Sequence, residues 1–234
     1  MIGCISNDKR ERLVVCFSAT ANFVGSGVLG SIGVVTLSRV KHKRELLFAS
    51  LPTLFALHQF MEGFVWLGLD GSMSPKVAHD AGAAFVLYAQ GLLPFLIPLS
   101  VVLFEPTVAR RRKMLPFAAL GLGLTLFMLW GLTAYPLQVY AEHNSIVYVN
   151  EATNQTWAAL LYVIATCGSL FFSGIGDMVI FGGANLAILL ITMAVKRYAF
   201  TSVWCAYAAV ASIIICVYFL RSGKHRPYSY SEAM

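Results

Sequence analysis

Leu46–Leu69, LLFASLPTLFALHQFMEGFVWLGL, is an apolar run of 24 residues that carries His58 and Glu62 near its middle. At about 1.5 Å per residue a helix of this length is about 36 Å long, enough to cross a hydrocarbon core of about 30 Å. The four-residue spacing of His58 and Glu62 puts both on one helix face, at mid-depth and slightly beyond it. An ionisable group there costs about 3 kcal/mol or more, so it faces a partner or a water-filled cavity rather than lipid. The stretch predicts a membrane-crossing helix with a buried polar site.

The rest of the chain has the same character. Hydrophobic residues make up 58% of the 234 positions and charged residues 12%, and mean hydropathy is +0.73, which excludes an ordinary water-soluble domain. The net charge of +6 comes from Lys and Arg in short clusters between apolar runs rather than on one face. Membrane sorting explains those clusters better than nucleic-acid binding. Cys16, Cys167, Cys205 and Cys216 lie inside apolar segments with no C-x-x-C pair, and read as small buried hydrophobes. The run after Lys9 and Arg10 is too long for a cleavable signal, so the first helix is expected to remain as an anchor.

Apolar runs between polar breaks fall near 13–37, 46–69, 81–104, 114–135, 157–174, 178–195 and 200–220, which predicts an all-α bundle of seven transmembrane helices. A tail at 1–12 precedes this domain, 13–220, and a polar cytoplasmic tail at 221–234 follows it. With the N-terminus outside, the inner connections hold Arg39, Lys41, Lys43, Arg44, Arg110, Arg111, Arg112, Lys113, Arg221, Lys224 and Arg226. The outer ones hold only Lys9, Arg10, Arg12, Lys76, Lys196 and Arg197, so N-out, C-in in a plasma (inner) membrane is the expected topology. Trp66, Trp130, Trp157 and Trp204 then all lie towards the outer face, where indole rings favour the interface.

Gly25-Ser-Gly27-Val-Leu-Gly30 matches G-x-G-x-x-G by letter, but it lies inside an apolar helix rather than after a strand. Ser26 and Gly30, and Gly27 and Ser31, instead read as small faces for close helix packing. Asn22, Gln90 and Asn185 fall within about two turns of mid-membrane, alongside His58 and Glu62, so the five could line one cavity. Pro94 removes an N–H and crowds the Gln90 carbonyl, and Pro98 repeats this one turn on, which predicts a kink beside Gln90. Asp177 is expected to cap the sixth helix, with a gating role secondary. His79 and Asp80 read as solvated residues opening helix three, and the acidic connection 136–156 as a solvated loop or outer lid.

Several seven-helix chemistries are excluded by absence. Helix seven has no Lys for retinal and no His for an H-x-x-x-H zinc pair, and no G-x-S motif near a buried base supports intramembrane proteolysis. A single intramembrane His falls short of the three protein ligands a catalytic zinc site wants, so no metal and no cofactor is expected.

Three functional readings remain. The first is a small transporter or ligand-binding membrane protein in which His58 and Glu62 form a proton-titrating pair and Asn22, Gln90 and Asn185 line the path of a small molecule or ion. The second is a membrane-embedded enzyme acting on a lipid or quinone, with Glu62 as base, although no catalytic set is identifiable. The third is a sensor or assembly subunit whose basic loop and tail contact anionic lipid or a partner. Beside them stands a purely structural role for the pair, a neutral His bonded to a protonated Glu.

Val15 through Phe23 (VCFSATANF), Arg44 through Ala49 (RELLFA) and the stretch from Pro52 through Leu67 resemble an uncharacterised bacterial family of multi-pass membrane proteins whose members open Met-Cys-Phe-Ser-Ala-Thr-Ala. The resemblance is specific over the first two helices and looser beyond them. It implies a multi-pass helical membrane fold and names no substrate. The position of Val15 relative to that opening suggests it as the native start, with 1–14 untranslated.

Overall fold

The computed structural model describes residues 18–142, 145–152, 154–195 and 200–221, without the side chains of 188–207. Residues 1–17, including Val15 and Cys16, the side chains of Trp204 and Cys205, and the tail from 222 onward lie outside the described residues.

Among the described residues the chain forms seven helices and one β-hairpin. They are α1 (Ala19–Leu37), α2 (Leu46–Leu69), α3 (Pro75–Phe104), α4 (Val108–Ala134), strands β1 (Gln138–Glu142) and β2 (Ser145–Val149), α5 (Thr156–Phe171), α6 (Gly176–Val195) and α7 (Phe200–Arg221). α2 keeps the bounds of the apolar run. α3 and α4 start earlier than their runs do, because Lys76, His79, Asp80 and the Arg110–Lys113 cluster join the helical hydrogen bonding although they end the apolar pattern.

Among the described residues three helices, α1, α3 and α4, are long and apolar enough to cross a membrane. α2 has the length but not the uniform composition, since His58, Gln59 and Glu62 interrupt it. Its place in the bundle explains why this is tolerated. Phe48, Leu51, Phe55, Val65 and all three of those polar residues are buried, so the part of α2 that carries them is covered by its neighbours, while Leu57 and Phe60 remain exposed on its outer side.

α1 and α2 run antiparallel and share the most extensive helix contact, through the small residues of the G-x-G-x-x-G stretch. Ser26 Oγ donates to Ala56 O at 2.9 Å, and Gly30 faces Ala56. A Cβ on Gly33 would lie 2.9 Å from the Thr53 backbone N, closer than packing allows. Of the two small faces read from the sequence, Ser26 and Gly30 form the seam. Gly27 and Ser31 point outward, with Ser31 bonding back to Gly27 O at 2.9 Å.

The expected kink in α3 takes the form of a π-helical stretch, Leu87–Leu92, in which Leu93 N–H reaches Tyr88 O five residues back. Widening the turn accommodates Pro94, which can neither donate nor fit beneath a normal α-turn. α4 braces the same region, since Thr125 Oγ1 donates to Gly91 O at 2.8 Å and Gly121 lies against the Pro94 carbonyl, whose own helical donor Pro98 lacks.

The connection after α4 departs from the all-helical expectation. Gln138–Glu142 pairs antiparallel with Ser145–Val149, and the hairpin presses Leu137, Ile146 and Tyr148 onto Val65, Phe85 and Val86. The alternation in β2, with Ile146 and Tyr148 buried and Val147 half-buried, gives this small sheet one apolar face to set on the helix ends. Asn150 secures its return by donating to Gly131 O at 3.2 Å and Tyr135 O at 3.0 Å.

Candidate functional site

The polar residues of α2 divide between two neighbours. Gln59, Glu62 and Trp66 turn towards α1, where they surround Asn22. The Asn22 amide nitrogen donates to Glu62 Oε2 at 3.0 Å and to Gln59 Oε1, and its oxygen accepts from Trp66 Nε1 at 3.2 Å. This orientation of the amide follows from its surroundings. The opposite one would set the oxygen against two acceptors, in exchange for a 3.3 Å bond from the nitrogen to Ser18 O. Asn22, Gln59 and Glu62 are each at most 4% exposed, so the cluster is sealed inside the bundle. Gly63 permits this closeness, because a Cβ there would meet the Phe23 ring at 2.7 Å.

His58 faces the other way, towards α3. Its ring is stacked on Phe85 with centroids 4.2 Å apart and is tilted against Tyr88 at 6.1 Å. Phe85 in turn stacks on Tyr148 of the hairpin at 4.8 Å, so an aromatic column runs from the covering hairpin to the buried imidazole. His58 is fully buried, and neither ring nitrogen has a hydrogen-bond partner among the described residues. A buried polar atom left this way costs about 1–3 kcal/mol.

The structure therefore brings together Asn22 and Glu62 of the residues singled out by sequence, and gives His58 different neighbours from Glu62 although both lie on α2. Gln90 sits on the π-helical stretch, half-buried, with no side-chain hydrogen bond among the described residues. Asn185 on α6 is buried with its side-chain oxygen unpartnered. Asp177 is exposed in the first turn of α6, one residue past its start, where a carboxylate favours the positive end of the helix dipole. His79 and Asp80 are exposed, His79 Nδ1 lying 3.2 Å from Asp80 Oδ1 and Lys76 pairing with the same carboxylate.

Two residues of the cluster, Gln59 and Trp66, were not singled out as site residues in the sequence. Their spacing from Glu62, three residues before and four after, places all three on one helical stripe and was the available signal. Two further carboxylates, Glu45 and Glu105, are buried at the other end of the bundle, each beside a charged or polar break in the apolar pattern. Glu45 Oε2 accepts the backbone N–H of Lys41 at 2.9 Å and of His42 at 3.3 Å, fixing the turn between α1 and α2. Glu105 Oε2 accepts from Ser173 Oγ at 3.1 Å and Gly174 N at 2.8 Å, tying the end of α3 to the turn between α5 and α6.

No group of three or more His, Cys, Asp or Glu arranged to hold a metal occurs among the described residues. The site offers hydrogen-bonding groups and a carboxyl group buried in the bundle. No curated protein and no solved structure matches the chain. The family model of DUF6629, described as a family of unknown function, matches residues 15–230, and the chain belongs to that family.

Proposed function

We propose that this chain is a multi-pass membrane protein of seven transmembrane helices, N-out and C-in in the plasma (inner) membrane, that binds or transports a small polar ligand or ion at the buried site on α2. The observation that carries this reading is His58, fully enclosed with both ring nitrogens unpartnered, one turn from the Asn22, Gln59 and Glu62 cluster. A ring that only filled space would be better served by Phe, which packs equally well on Phe85 and carries no unsatisfied nitrogen. The imidazole is useful if a ligand or a proton-carrying water visits it.

The arrangement of the ends supports the orientation. Trp66, Trp130 and Trp157 lie at the end covered by the hairpin, and the Arg110–Lys113 cluster opens α4 at the opposite end. Glu62 is the group that would exchange a proton with the ligand, Asn22 and Gln59 its positioning partners, and Gln90 and Asn185 further polar lining.

The test is the full chain in proteoliposomes loaded with a pH-sensitive dye, alongside native mass spectrometry for retained small molecules. Glu62→Gln is expected to remove pH-dependent flux or ligand retention while the protein still accumulates as a monodisperse helical species. Failure of Glu62→Gln to accumulate in membranes would favour the purely structural role instead.

A further inference from the structure

At the hairpin end, away from the α2 site, Phe127 and Trp130 of α4, Tyr135 after it and Trp157 of α5 line an open groove of about 490 Å³. The rings support one another, Phe127 against Trp157 at 4.9 Å and Trp130 edge-on to Tyr135 at 5.7 Å. Glu151 and Gln155 complete the lining, and Gln155 donates to Glu151 O at 2.8 Å. The Glu151 carboxylate is exposed and has no ion-pair partner among the described residues.

Two Trp faces, a Tyr and a Phe beside an uncompensated carboxylate attract a cation, and an alkylated ammonium best of all, since it is drawn to ring faces without demanding water. The helix faces below the groove are apolar and exposed. Leu126 and Leu122 continue the Trp130 face of α4 at four-residue steps, and Leu160 and Ile164 continue the Trp157 face of α5. Both stripes lead from the groove towards the middle of the bundle, as acyl chains would from a headgroup. Scattered interfacial aromatics would account for single rings at this level. They would not account for four rings and an exposed carboxylate lining one groove above two apolar tracks.

We propose that this groove is a specific site for a membrane phospholipid whose headgroup carries an ammonium group, held by the aromatic rings and Glu151 with its chains along α4 and α5. The proposal rests on the membrane reading above, but not on the buried α2 site.

The test is native mass spectrometry of the full chain released from vesicles containing equal amounts of phosphatidylcholine and phosphatidylglycerol. The expected result is preferential retention of phosphatidylcholine, reduced about five- to tenfold in Glu151→Gln and in Trp157→Ala, as the loss of about 1 kcal/mol or more per cationic contact requires. Glu151→Gln alters an exposed side chain and keeps every ring, so it decides the matter even if Trp157→Ala misfolds. Equal retention of both lipids, or a preference unchanged by Glu151→Gln, overturns the proposal. So does saturable quenching of tryptophan fluorescence by tetramethylammonium with no lipid preference, which assigns the groove to a free cation, or a stable dimer that occludes it. A protein recovered in the soluble fraction, binding neither lipid, would instead overturn the membrane reading itself.

Discussion

Glu105 and Gly174, 69 positions apart in the chain, are joined by a hydrogen bond of 2.8 Å from the glycine N–H to the buried carboxylate. Ser173 Oγ adds a second at 3.1 Å and Thr107 N a third at 3.3 Å, to the other oxygen. One side chain thus satisfies backbone groups of two connections at the same end of the bundle, where helix ends would otherwise leave them unpaired. Glu105→Ala is expected to destabilise the protein by about 1–3 kcal/mol, because three hydrogen bonds to the carboxylate are lost and the Ser173 hydroxyl stays buried without its acceptor. Glu105→Gln should cost less, since its carbonyl oxygen still accepts. Thermal unfolding in detergent, followed by circular dichroism, measures both.

Gly121 and Gly123 are neighbours on α4 with opposite surroundings. Gly121 lies against the Pro94 carbonyl, whereas a Cβ on Gly123 meets nothing within 4 Å. Gly121→Ala should therefore destabilise by about 1–3 kcal/mol through overpacking. Gly123→Ala should be neutral or stabilising by up to about 1 kcal/mol through helix propensity. Equal unfolding temperatures for the two variants would contradict the α3–α4 contact.

Thr125 is predicted to hold the π-helical stretch in place. Thr125→Val keeps the shape and removes the hydroxyl that donates to Gly91 O, at a cost of about 1 kcal/mol. Thr125→Ser should recover most of it. Amide hydrogen exchange around Leu87–Leu92 is the direct readout, with faster exchange expected in the valine variant only.

His58→Phe separates stability from function. Replacing a ring with two unpartnered nitrogens by one that stacks equally on Phe85 is expected to raise stability by about 1–2 kcal/mol. The same variant should lose pH-dependent flux or ligand retention in proteoliposomes. A variant both more stable and fully active would remove His58 from the proposed site.

The helical architecture was legible because each apolar run is long enough to name its helix, and α2 was bounded to the residue by Glu45 before it and Asp70 after it. The runs at 81–104 and 114–135 were read short, since charged first turns hide helical continuity from an apolar count. The hairpin at 138–149 was missed because a two-stranded sheet owes its stability to Val65, Phe85 and Val86 beneath it, all outside its own segment. Asn22 and Glu62 were legible as residues needing a polar partner, because an apolar run long enough to cross a membrane penalises their residue types wherever they point. Gln59 and Trp66 were not, because only the packing of α1 on α2 shows that their stripe faces Asn22.

By itself, then, the sequence determined which segments are helical and which side chains are too polar to go without partners inside an apolar run. Both follow from local hydrophobicity and residue chemistry, which do not depend on distant parts of the chain. Only the tertiary structure decided which polar groups meet: Asn22 with Glu62, Glu105 with Gly174, and His58 with Phe85 rather than with the carboxylate one turn away. A helix repeats every 3.6 residues, so spacing fixes which residues share a face, but the neighbour opposite that face is set by how separate helices rotate and pack.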